Sequence, residues 1–202
     1  ILLLTHYWAP EVGAPQRRWN RLAEALISRG HELAVLAPAP HYPGGRLLPG
    51  GGAHVAGSIR RDVTGAMVHR TNFRPYGNAV CGRGVDQMVA AADSVRLGVE
   101  RFRGANSPDI IVGSVPGLPT LPAALAVGGM LHRPVVVELR DAWPDLLLSA
   151  AQWSPPLSCP STATQARQTR RLDVVGWGAR SLLPPLITRL EQEAAAVVTT
   201  TD

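Results

Sequence analysis

Apolar and polar positions along the chain switch repeatedly between the period of a strand and that of a helix, which predicts alternating β and α elements. Residues 1–5 open on a continuous apolar run, the pattern of a parallel strand covered on both faces. Over residues 15–29, Trp19, Leu22, Ala23, Leu26 and Ile27 fall on one helical face, with Pro15 at the first helical position and Gly30 as the stop. A second strand is expected at 32–37. Residues 38–52 are too dense in Pro and Gly to keep either period, so they read as a long loop.

Farther on, residues 67–71 give a third strand, preceded by a short hairpin or extra strand. A helix at about 85–103 follows, with Val85, Met88, Val89, Ala92, Val95, Val99 and Phe102 on its inner side. A strand at 109–114, a small-residue helix at 121–131 and a β-branched strand at 134–139 complete the regular alternation. From about 149 to 180 the chain turns to Ser, Thr, Pro, Gln and Ala with little period, which reads as an irregular insert. A helix at 181–195 and a sixth strand at 196–200 close it. The expected fold is α/β, a Rossmann-like doubly wound and mostly parallel sheet with helices on both faces, in a single domain over residues 1–202.

Right-handed crossovers put the strands at 1–5, 110–114 and 135–139 near the centre of such a sheet, with their carboxyl ends on one edge. The loops that follow them should meet there, where open α/β sheets bind ligands. Those loops carry His6, Tyr7, Trp8 and Glu11, then residues 115–120, then Arg140, Asp141, Trp143 and Asp145. Charged groups beside aromatic rings suit a sugar, held by stacking and paired hydrogen bonds. Each ring also serves as core packing, Asp141 as a helix cap or partner of Arg140, and His6 as a structural histidine. Gly13 stands before the first helix, where it lets an anion approach the backbone or serves only the turn.

Composition narrows these options. The chain carries 20 basic residues against 15 acidic ones and a net charge of +5, and every basic residue is Arg. Without Lys there is no P-loop, and neither a Gly-x-Gly-x-x-Gly fingerprint nor a Gly-x-Ser-x-Gly elbow occurs. Cys81 and Cys159 have no metal-ligand spacing around them, so no metal is expected. Arg17, Arg18 and Arg21 crowd the start of the first helix, where the dipole disfavours cations. A phosphate-bearing ligand offsets that repulsion, and Arg21 lying over apolar surface is the plainer alternative. No apolar run approaches the ~20 residues that span a bilayer, and the start is too short for a signal peptide, so a cytoplasmic protein is expected.

The segment from Tyr7 to Pro15, with Arg18, Leu22, Ala23, Leu26 and the run Arg29-Gly30-His31-Glu32-Leu33, resembles the start of family-four GT-B glycosyltransferases. His41-Tyr42-Pro43-Gly44-Gly45 is similar to a motif of the branch that builds bacterial surface polysaccharides. Pro116 and the run Glu138-Leu139-Arg140-Asp141-Ala142-Trp143-Pro144-Asp145 look like that branch's Arg-Asp-x-Trp-Pro-Glu signature. Leu190-Glu191 with Ala195 to Thr199 resembles the end of the family's N-terminal domain.

The resemblance implies a retaining enzyme that transfers a sugar from a nucleotide-diphosphate sugar to a glycan or lipid-linked acceptor. This chain then corresponds to the acceptor-binding half of a GT-B fold, without the C-terminal nucleotide-sugar domain, and is not expected to turn over alone. Arg140 and Asp141 take catalytic positions, and Gly13 and Ala14 the approach to the donor phosphates. His6, Tyr7, Glu11, Arg17, Arg18, Trp143 and Asp145 are expected to bind acceptor. Ala14 replaces a second glycine, and Asp145 a longer Glu. No cofactor is implied beyond the donor as substrate. The Arg excess beside Trp153, Trp177, Leu182 and Leu183 is compatible with attachment to an anionic membrane surface. No nucleic-acid motif or long basic run is present, so nucleic acid is not an expected partner. A non-catalytic α/β binding module and another GT-B enzyme, such as a sugar epimerase, are the alternative readings.

Overall fold

The computed structural model describes residues 1–49, 51–77, 80–115, 117–140 and 183–199. Contacts divide the chain into two units, Ile1–Arg140 with Ala194–Asp202, and Asp141–Glu193. Of the second unit, residues 183–192 are helical, within the helix expected at 181–195. The expected insert at about 149–180 lies outside the described residues.

The first unit is built on a seven-stranded sheet. Its strands are β1 (Leu2–Thr5), β2 (Ala34–Pro38), β3 (Ile59–Arg61), β4 (Met67–Thr71), β5 (Ile111–Val115), β6 (Val135–Leu139) and β7 (Ala196–Thr199). The spatial order is β3-β4-β2-β1-β5-β6-β7, and every neighbouring pair is parallel except β3 with β4. The sheet is therefore Rossmann-like, with the extra strand anticipated before β4 added antiparallel at one edge. β1 pairs with β2 on one side and β5 on the other, so the strand order reverses at β1 and opens a crevice at its carboxyl end.

Helices α1 (Ala14–Ser28), α2 (Val80–Arg101) and α3 (Thr120–Leu131) cover the two faces. Strand side chains alternate between faces. Leu3, Val35, Ala37 and Val68 form one core with Trp8, Trp19, Ala23 and Leu33, which is the α1 side. Leu36 and Gly113 turn the other way: Leu36 and Val127 lie against Gly98 of α2, and a Cβ on Gly113 would come within 2.8 Å of the Ala124 Cβ. α3 thus rests directly on the backbone of β5, an approach that only small residues permit.

Two expectations about helix faces need correction. Leu22 was placed on the inner face of α1 but is exposed, and burial there centres on Gln16, Trp19 and Ala23. Val85 and Met88 were placed on the inner face of α2 and are exposed, Met88 by 61%. The buried face of α2 carries Asp86, Ala90, Asp93, Ser94 and Leu97 instead. The physical reason is that two carboxylates turn inward to bind loop backbone, and this rotates the helix away from its apolar periodicity. Among the described residues no helix is long and apolar enough to cross a membrane.

Candidate functional site

The loops after β1, β2 and β4 gather at the carboxyl edge of the sheet around buried polar groups. Glu11, in the β1–α1 loop, is 5% exposed. Its Oε1 accepts the backbone N–H groups of His41 (2.7 Å) and Tyr42 (2.8 Å), and its Oε2 accepts the Gln16 amide at 3.3 Å. One carboxylate therefore joins the β1 loop, the β2 loop and the first turn of α1. Arg70 on β4 is buried as well and donates to the carbonyl oxygens of Pro38 (3.0 Å) and Ala9. Burial pushes its guanidinium down to about 10, against the opposing pull of Glu11 and Asp62.

A second buried centre lies beside the first. Asp86 of α2, His6 at the end of β1 and His41 after β2 are 0%, 3% and 0% exposed. Asp86 Oδ2 lies 2.9 Å from His41 Nε2 and 3.2 Å from His6 Nε2, while Asp86 Oδ1 accepts the Arg74 backbone N–H at 2.8 Å. His41 Nδ1 faces the Ala39 carbonyl oxygen at 2.7 Å. Burial raises the Asp86 pKa, but the hydrogen bonds from His41, His6 and the Arg74 backbone outweigh it and hold the carboxyl well below its usual range. Burial likewise works against charge on His41, and the bonds to Asp86 and Ala39 with the charges of Asp86 and Glu11 turn the net shift upward. The three side chains present ligand atoms within 4.8 Å of one another, a grouping of the kind that can surround a cation. The shared carboxylate oxygen has one imidazole nitrogen 2.9 Å away and a second 3.2 Å away.

At the rim stand the half-buried Tyr7 and Tyr42, edge to face at 5.1 Å between ring centres. Burial, with Tyr76 next, pushes the Tyr7 phenol up to about 12, so it stays protonated and able to donate. Arg83 of α2 lies 5.9 Å from the centre of the Tyr76 ring. At the start of α1, Gly13 occupies the N-cap in extended backbone and no side chain caps the helix. Pro15 has no N–H and the Arg17 N–H bonds the Gly13 carbonyl at 3.1 Å, so among the described residues the Ala14 and Gln16 N–H groups of this first turn are the ones left for another acceptor.

Of the residues expected to bind acceptor, Tyr7 sits at the rim and Arg17 is exposed. His6 and Glu11 are both buried, His6 beside Asp86 and Glu11 on the backbone N–H groups of His41 and Tyr42. The half-exposed Arg18 guanidinium pairs with Glu138 of β6 at 2.7 Å. Trp8 is core and donates its indole N–H to Asp62 at 2.8 Å. Gly13 and Ala14 lie at the helix start as expected. Arg140 follows β6 directly and is half-buried. Asp141, Trp143 and Asp145 lie outside the described residues.

Sequence reasoning missed Asp86 and Asp93. The Asp93 carboxylate accepts the Asn72 backbone N–H at 2.7 Å and so ties the β4 loop to α2, as Asp86 does through Arg74. The available signal is two Asp seven residues apart on a face that also holds Ala90, Ser94 and Leu97, an arrangement at odds with a solvated helix surface.

The chain matches no protein-family model and no curated protein.

Proposed function

We propose that this chain is the acceptor-binding domain of a retaining glycosyltransferase, which moves a sugar from a nucleotide-diphosphate sugar to a glycan or lipid-linked sugar acceptor. The observation that carries the reading is the uncapped start of α1 at Gly13, linked through Gln16 and Glu11 to the backbone of Tyr42 and hence to the Tyr7–Tyr42 pair. Free backbone donors at a helix N-terminus favour a phosphate, and half-exposed tyrosines beside them favour a sugar ring.

In this reading the diphosphate of the donor meets the backbone of Gly13 and Ala14. The acceptor lies over Tyr7 with Arg17 nearby, and Arg140 with Asp141 stands where the sugar is transferred. The wider family resemblance of the Arg140-Asp141-Ala142-Trp143-Pro144-Asp145 run supports the same assignment. The protein would work at the cytoplasmic face of a membrane, with the Arg excess drawing it to anionic lipid.

The test is a transfer assay with a panel of nucleotide-diphosphate sugars on this chain joined to a nucleotide-sugar domain, with Asp141→Ala beside it. Loss of transfer in the variant with its thermal stability intact is the expected result. Full activity of Asp141→Ala, or transfer by these 202 residues alone, refutes the proposal.

A further inference from the structure

Both ring nitrogens of His41 face groups that can only accept. Nδ1 meets the Ala39 carbonyl oxygen at 2.7 Å and Nε2 meets the Asp86 carboxylate at 2.9 Å. A neutral imidazole has one N–H and would leave one of these contacts as lone pair against lone pair. Both are satisfied only when His41 carries two protons and a positive charge. The ring also stacks on Phe73, 4.8 Å between centres and 17° from parallel, which places a cation over a π-face. Asp86 then has a second imidazole, His6, 3.2 Å away on the same oxygen.

We propose that Asp86 is a positioning residue whose carboxylate clamps a charged His41, with His6 packed 3.2 Å from the same oxygen, fixing the β1 and β2 loops of the candidate site in one arrangement that opens when either His41 or Asp86 changes protonation. The clamp joins three segments far apart in sequence: the end of β1, the loop after β2 and the first half of α2. Its consequence for ligand binding rests on the site reading above, whereas the clamp itself does not.

The groups facing it fix the sign of its pH dependence. From the β1 loop come His6, Tyr7 and Glu11; from the β2 loop, Tyr42; from the segment between β4 and α2, Tyr76 and the Arg74 backbone N–H; from α2, Asp86 and Arg83; from β4, Arg70. His41 has its affinity for a proton raised on folding, so its contribution is full below the ordinary histidine value and disappears as pH rises through the raised one. Asp86 is held low, so its contribution is full above the ordinary carboxylate value and disappears in strong acid. The clamp is closed between these limits.

Nitrogen-15 NMR of the histidine rings in the 202-residue chain tests this directly. The expected result is His41 with both nitrogens protonated at pH 7, and amide-exchange protection factors at His41 and Tyr42 that fall along the His41 titration. Asp86→Asn should return His41 to the neutral form at pH 7. It should also lower protection at His41, Tyr42 and Arg74 at least tenfold while Val35 and Leu36 in β2 keep theirs. A neutral His41 in the unsubstituted chain overturns the proposal, and so does protection that ignores its titration. Metal-shifted ring nitrogens with one equivalent of zinc in the purified protein overturn it too, by assigning the three side chains to an ion. Should Asp86→Asn not fold, the unsubstituted chain decides alone. None of these readings depends on sugar transfer, so failure of the clamp and failure of the enzymatic reading are separate results.

Discussion

Trp19 of α1 donates its indole N–H to the Glu138 carboxylate of β6 at 2.9 Å, across 119 residues of sequence. Ser114 of β5 lies 3.0 Å from the same nitrogen, and Arg18 reaches the other carboxylate oxygen at 2.7 Å. Glu138 is 3% exposed, a buried acid whose Oε2 is hydrogen-bonded by Trp19 and whose Oε1 has the Arg18 ion pair alone. It fixes α1, whose start carries the proposed phosphate contact, against the strand that leads to Arg140. Glu138→Gln keeps an acceptor for Trp19 and loses only the half-exposed Arg18 pair, a cost of about 1 kcal/mol. Glu138→Leu removes both partners and is expected to cost about 2–3 kcal/mol. Urea denaturation of the two variants checks the order, and equal midpoints would show that the carboxylate is not the anchor.

His69 on β4 provides an acid-side transition distinct from the clamp. Burial, assisted by the neighbouring Arg101, pushes its pKa down to about 4, and Arg101 lies 3.1 Å from its Nδ1. The unfolded chain therefore binds a proton there that the folded chain refuses between the ordinary value near 6.5 and about 4. Stability from this group is complete above the upper limit and declines as pH falls toward the lower one. The loss is expected to reach about 3 kcal/mol. Denaturant midpoints measured from pH 7 to pH 4 should flatten in His69→Gln, and an unchanged acid slope would count against the assignment.

Gly113 tests the packing of α3. A methyl group there would sit 2.8 Å from the Ala124 Cβ, with backbone rather than a flexible side chain behind each atom. Gly113→Ala should cost about 1–3 kcal/mol through overpacking. Gly113→Ala combined with Ala124→Gly should recover most of that loss, because the two carbons compete for one space. A double variant no better than the single one would place the strain elsewhere.

The β and α elements were legible because a parallel strand buried on both faces must be apolar throughout. β1, β2, β5 and β6 are apolar apart from Thr5, Ser114 and Glu138, and lie within a residue or two of their expected bounds. Helix α2 was found, but its inner face was misread: Asp86 and Asp93 carry hydrogen-bonding tasks that a periodicity of apolar residues treats as solvent exposure. The glycine at the start of α1 was visible as a turn before a helix. The clamp was not, since His6, His41 and Asp86 lie on separate segments and no local spacing links them. The charge of Glu11 is plain in the sequence, but its bonds to backbone N–H groups of a loop 30 residues away are a pairing that only the folded chain displays.

Gly13 decides whether the start of α1 meets a phosphate. A Cβ at this N-cap would fall 2.6 Å from Gln16 Oε1, and Gln16 is a buried side chain whose amide holds Glu11. Gly13→Val should therefore displace Gln16, loosen Glu11 and lower stability by about 1–2 kcal/mol. It should also fill the space through which a diphosphate would reach the backbone N–H groups. In the two-domain enzyme proposed here, transfer is expected to fall at least tenfold, with the loss in affinity for the nucleotide sugar. Gly44→Ala is the control, because no atom lies within 4 Å of the position its Cβ would take. If Gly13→Val transferred sugar as well as that control does, the first turn of α1 would be structural only, and the donor would have to be held from the other domain.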